Sequence, residues 1–83
     1  MSGGANEVLA KLQTLVDRLF LDPPQLARET KATDVPEWDS LMQISLVVAV
    51  EKEFGVRFRT GEVESTANVG EFCDLIQRRM TEA

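Results

Sequence analysis

The segment "EWDSLMQISLVVAVEKEFG", residues 37–55, decides how this chain folds. A surface helix normally has one apolar stripe and one polar face. On a wheel of about 100° per residue, this segment is apolar over most of its circumference. Leu46, Val47, Val50 and Phe54 form one arc, wide enough to face a core. Leu41, Ile44 and Val48 form a second arc, across a gap occupied by Glu51. Met42 and Ala49 lie elsewhere, and the polar arc shrinks to Ser45 and Lys52 with Glu53 to one side. Asp39 is placed to cap the start, and Gly55 to end the helix in a left-handed conformation. The helix therefore spans residues 40–54. Its second arc has two readings. Either this is the middle helix of a bundle, packed on both sides, or the extra face receives a ligand or a partner.

Outward from this segment, Val8, Leu9, Leu12, Leu15, Val16, Leu19 and Phe20 recur at helical spacing. They predict a first helix capped by Asn6 and stopped by the "DPP" of residues 22–24, since proline cannot continue a helix. Residues 21–38 carry no sustained period and form a long connection, of the kind that is often functional. Leu26 and Val35 are its candidate anchors to the core. After Gly55, "TGEVES" predicts a short helical turn from Thr60. The last helix begins at Asn68, with Glu71 at capping-box spacing, and its stripe is Val69, Phe72, Cys73, Ile76 and Met80. Only residues 56–58, "VRF", resemble a strand. The pattern predicts an all-α fold, a small bundle of three main helices plus one short helix. Residues 1–5 read as a flexible leader and residues 6–83 as a single domain.

Composition narrows the function. The net charge of −5 disfavours nucleic acid, whose phosphates need a basic patch, and favours basic protein partners. The chain has no histidine, which removes Ser-His-Asp and Cys-His nucleophile pairs and His-ligated zinc. A single cysteine, Cys73, allows neither an internal disulfide nor a multi-cysteine metal site. Its place on a core stripe reads as a small buried apolar residue. No apolar run is long enough for a membrane span, and no signal-peptide pattern is present, so the expected location is cytoplasmic. The acids of residues 34–39 lack the glycine and alternating ligands of a calcium loop. No metal site is expected.

Ser40 occupies the first helical position with its side chain in solvent. An anion attached there would meet free backbone N–H groups and the positive end of the helix dipole. On the residues alone, plain capping by serine and aspartate is the more ordinary reading. Trp38, the one tryptophan, either packs the loop onto the helix start or anchors a partner.

Asp39-Ser40-Leu41, "DSL", followed by an apolar helix ending in "EKEFG", resembles the acyl carrier protein family. The likeness covers nearly the whole chain: a first amphipathic helix, a long loop, a helix opening on "DSL", a short helix, and a last helix beginning near "TANV" at residues 66–69. The resemblance implies an acyl-carrier-protein-like bundle with Ser40 as the attachment point for a 4′-phosphopantetheine arm, flanked by Asp39 and Leu41. A phosphopantetheinyl transferase would install the arm from coenzyme A, using magnesium. The arm would hold an acyl or aminoacyl group as a thioester. It would pass that group from a loading enzyme to an acyltransferase or ketosynthase acceptor. The protein itself would be a carrier and not an enzyme, and a monomer. Leu41, Ile44 and Val48 would contact arm, cargo or partner, with Val63 and Thr66 as the opposite wall.

Departures from the fatty-acid pattern point to a discrete carrier of polyketide or related natural-product pathways, where "WDSL" starts are familiar. Trp38 replaces the usual small residue before the motif, and Met42 and Ser45 stand where acidic residues are usual. Glu51 keeps acid only at the far end. The partner face would then comprise Trp38, Met42, Ser45 and Glu51 beside the apolar arc. A fatty-acid carrier and a peptidyl or aminoacyl carrier are the alternatives within the family. Outside it, the apolar arc would suit an unmodified helical interaction module.

Overall fold

A computed structural model of the chain describes residues 4–59 and 61–82. Three helices form the frame: α1, Gly4–Leu19; α2, Ser40–Phe54; and α3, Val69–Glu82. No strand occurs among the described residues, and residues 56–58 are irregular. The all-α bundle expected from the sequence is borne out.

The first helix begins at Gly4, ahead of the expected leader's end and of Asn6, which is therefore not its cap. The expected leader's residues 1–3 lie outside the described residues. Val8, Leu12, Leu15 and Val16 form the buried stripe of α1. Glu7 in its first turn and Arg18 in its last complement the helix dipole. The Phe20 amide still bonds the Val16 carbonyl at 2.9 Å, and the two prolines then prevent continuation. The freed amides of Leu21 and Asp22 donate to the Glu37 carboxylate at 2.7 and 3.1 Å. Both ends of the long loop are thereby tied together.

α1 packs against both α2 and α3. Leu46 and Val50 of α2 and Ile76 and Cys73 of α3 are fully buried in the resulting core. Residues after Gly55 pack against α2 and α3: the Phe58 amide bonds the Glu51 carboxylate, the Phe58 ring lies 6.0 Å from that of Phe72, and Val63 is buried. The long loop reaches the core through Leu26 and Val35, as anticipated.

Two local elements depart from the sequence reading. A short 3₁₀ helix, Ala32–Asp34, interrupts the loop; the Lys31 amide donates to the Asp34 carboxylate at 3.1 Å and so closes the turn. The short helical turn expected from Thr60 is looser than a regular helix: Thr60 is outside the described residues, and residues 61–65 make turns. Gly61 has φ +87°, a left-handed conformation that a helix start excludes. The Ser65 amide is then shared between the Gly61 and Glu62 carbonyls at 3.2 and 3.3 Å. An ion pair between two largely buried side chains, Glu62 and Arg79, fastens this turn to α3. No helix of the described residues is long and apolar enough to cross a membrane.

Candidate functional site: the start of α2 and the groove beside it

The start of α2 follows from two local devices. Asp39, in extended conformation, accepts the Met42 amide on its side chain at 2.9 Å. Its carbonyl accepts the Gln43 amide at 2.8 Å. At the far end Gly55, with φ +67°, supplies the left-handed residue, and its amide bonds the Glu51 carbonyl at 2.9 Å. The predicted boundaries of this helix hold to the residue.

Ser40 is exposed at the first helical position. Among the described residues, no protein group accepts from the Ser40 or Leu41 amides, and no acidic residue lies in the first turn. Two free N–H groups and the positive helix end thus surround an exposed hydroxyl, which suits a phosphodiester. The residues present fit a 4′-phosphopantetheine group.

Of the second arc, Leu41 is 76% exposed, Ile44 61% and Val48 47%. The open choice between a doubly packed helix and a free face is settled: this arc is not covered by another helix. Ser45 is exposed beside it. Met42 and Trp38 differ from these, since both are only partly exposed and pack against the core. The Trp38 ring meets Phe20 edge-on at 5.7 Å, and its Nε1–H donates to Gln43 Oε1 at 2.6 Å. Packing onto the helix start is thus what the tryptophan does. The Glu51 carboxylate accepts the Phe58 amide at 3.0 Å, which places it on the turn after α2.

Two clefts flank the segment after α2: the first is walled by α2, that segment, the long loop and the start of α3, the second by α2 and that segment. The first, about 270 Å³, is lined by Trp38, Gln43, Val63, Thr66, Val69 and Phe72 among others, with Lys31 at its rim. The second, about 230 Å³, lies under Ile44, Val47, Val48, Phe58 and Val63. Val63 and Thr66 do form a wall opposite α2, fixed by the Thr66 hydroxyl donating to the Val63 carbonyl at 2.6 Å. Sequence reasoning missed Gln43, Phe58, Val69 and Phe72 as lining residues. Gln43 had a signal, as a polar side chain in the most apolar helix of the chain. The others read only as core. No cluster of metal-binding side chains occurs among the described residues. The Cys73 thiol is fully buried, and burial pushes it up to about 11, so it stays a neutral thiol.

Residues 38–76 match the model of the phosphopantetheine attachment site family. The acyl carrier protein of Thermosynechococcus vestitus is 32% identical over 76 residues, covering 90% of this chain and 94% of the relative. That of Acidothermus cellulolyticus is 32% identical over 77 residues, with 92% of each chain covered. The solution structure of a holo acyl carrier protein from Geobacter metallireducens superposes with a TM-score of 0.81 at 33% identity, covering 90% of this chain and 87% of that one. Proteins of this kind carry covalently attached 4′-phosphopantetheine, have no catalytic activity of their own, and work with phosphopantetheinyl transferase and acyl-handling enzymes. On fold, site geometry and similarity over nearly its full length, this chain belongs to the acyl carrier protein family.

Proposed function

We propose that Ser40 is the attachment residue and that this carrier serves a polyketide or related natural-product pathway. The observation that carries the first statement is the exposed hydroxyl of Ser40 between two unclaimed amides, inside a D-S-L start. Asp39 fixes the first turn through its cap, so the hydroxyl is presented on a rigid element to the transferase. When bound, the prosthetic group supplies a terminal thiol that holds cargo as a thioester. The chain's own residues supply position: Leu41, Ile44 and Val48 offer an apolar ridge beside the attachment point.

The pathway assignment is supported by what this ridge lacks. No acid occupies the first turn of α2, and the Glu51 carboxylate already serves the Phe58 amide. A partner docking here meets apolar surface and the exposed Ser45, so contact area and not charge pairing dominates recognition. We take residues 6–83 as the carrier domain, acting as a cytoplasmic monomer that receives its acyl or aminoacyl group from a loading enzyme and yields it to an acyltransferase or ketosynthase.

Incubation with coenzyme A, magnesium and a broad-specificity phosphopantetheinyl transferase should add the mass of one phosphopantetheine, and Ser40→Ala should abolish the gain. A gain that survives this substitution would move the attachment site elsewhere. For the pathway, the holo protein should donate to a polyketide ketosynthase with little dependence on salt between low and physiological ionic strength. Steep loss with salt, or preference for a fatty-acid ketosynthase, would point to the housekeeping role.

A further inference from the structure

We propose that Gln43, fixed by Trp38, is a partition that splits the groove beside α2 and limits the length of acyl chain this carrier shelters. The inference rests on Ser40 as the attachment residue and concerns what happens to the cargo once attached.

The two clefts share three lining residues: Gln43, Val63 and Glu64. Val63 and Glu64 belong to the turn opposite, so Gln43 is the one contribution of α2 to both clefts. It stands three residues after Ser40, about 4.5 Å along the helix axis, on the part of α2 that walls both clefts. Its side chain is not free to swing away. The amide oxygen accepts from Trp38 Nε1 at 2.6 Å, and the indole is in turn held edge-on against buried Phe20.

Size sets the consequence. An apolar void of about 150 Å³ holds a benzene-sized group, so a cleft of about 270 Å³ takes a medium chain. A long chain needs both clefts. To pass from one into the other it must displace the Gln43 amide and leave the half-buried indole N–H without an acceptor. The floor of the first cleft, Val69 and Phe72, is apolar and buried, which suits an alkyl chain over a charged group. The occupant is therefore a medium-length acyl chain tethered through Ser40.

The test loads the protein with butyryl-, octanoyl- and dodecanoyl-phosphopantetheine from the corresponding acyl-coenzymes A, with intact mass to confirm loading. The readout is the rate of thioester cleavage by hydroxylamine, alongside amide shifts of Val69 and Phe72. Octanoyl should be cleaved slowly and dodecanoyl faster by about fivefold, the factor one net hydrogen bond is worth. Gln43→Ala should join the clefts and bring dodecanoyl down to the octanoyl rate. Trp38→Phe keeps the ring and removes the donor, and should shift dodecanoyl in the same direction by less. It provides the same reading if Gln43→Ala fails to fold. Absence of loading would sink the Ser40 assignment and this inference with it. Normal loading with equal protection of octanoyl and dodecanoyl in the unmodified sequence, or with a length limit untouched by both substitutions, would overturn the partition alone.

Discussion

At the start of α3, three successive amides are occupied: Val69 donates to the Thr30 carbonyl at 2.8 Å, Gly70 to the Arg28 carbonyl at 2.8 Å, and Glu71 to the Asn68 side chain at 2.9 Å. At the start of α2 only Met42 is served, by Asp39, and Ser40 and Leu41 have no acceptor among the described residues. Both starts use an Asx cap, yet one is closed by the chain and the other is left open. The closed start holds the long loop, because its acceptors are loop carbonyls. The open start keeps its donors and positive dipole for a group that arrives later. A helix terminus can thus serve as a structural clamp or as a receptor, and the difference lies in whether tertiary structure supplies the acceptors.

The sharpest way to break this contrast is to put charge under the closed start. Cys73 is fully buried one turn into α3. Burial raises its thiol from an ordinary 9.0 to about 11; nearby Arg28 works in the opposite direction and Asp74 adds slightly. The folded state therefore holds the proton more tightly than the unfolded state. This contribution to stability is complete below pH 9 and is lost as pH rises through about 11. The loss should reach on the order of 2 kcal/mol, read as a fall in urea midpoint that Cys73→Ala does not show. Parallel curves for the two proteins would mean that the thiol is not sealed.

Next in size is Gly70→Ala. A methyl group there would lie 3.0 Å from the Arg28 carbonyl oxygen and 3.1 Å from its Cβ. Alanine gains helix propensity of about 1 kcal/mol, but the clash forces the loop carbonyl away and opens the clamp. The net should be a loss of roughly 1–2 kcal/mol, with phosphopantetheine loading at Ser40 unchanged. Loss of loading at intact stability would show that the two starts are coupled, against the division of labour drawn above.

Much of this arrangement was legible in the sequence, for reasons that differ by element. The limits of α2 could be read because Asp39 and Gly55 act locally, on backbone groups within four residues. The arc of Leu41, Ile44 and Val48 could be read from the helical period, but its exposure could not, because that depends on where the other helices pack. Gly70 was not legible, since its reason is the carbonyl of Arg28, a loop residue far earlier in the chain. Gln43 escaped for the same kind of reason: its role depends on where Trp38 comes to rest. The "TGEVES" segment does turn, but Gly61 adopts a left-handed φ and keeps it from becoming a regular helix, and Asn6 misled because α1 begins before it.

Smaller still is the cap itself. Asn68→Ala removes the acceptor of the Glu71 amide and should lower stability by about 1 kcal/mol. The Glu71 carboxylate, which accepts the Ala67 amide at 2.8 Å, keeps the chain entry in place. A loss as large as that from Gly70→Ala would make the cap, and not the loop carbonyls, the main closure of α3.

The smallest effect should come from the most visible contact. Arg28 reaches Asp74 with its guanidinium at 3.0 Å, and both side chains are half exposed, at 50% and 52%. Such pairs in high dielectric contribute little, so Arg28→Ala should change stability by less than about 0.5 kcal/mol, and the change should shrink further with added salt. The substitution leaves the Arg28 carbonyl, and with it the bond from the Gly70 amide, in place. If the loop is held by its main chain, Arg28→Ala and Asp74→Ala will each be nearly silent while Gly70→Ala is not. If Arg28→Ala proves as damaging as Gly70→Ala, the ion pair is what closes the start of α3, and the contrast with the open start of α2 is one of side chains and not of backbone.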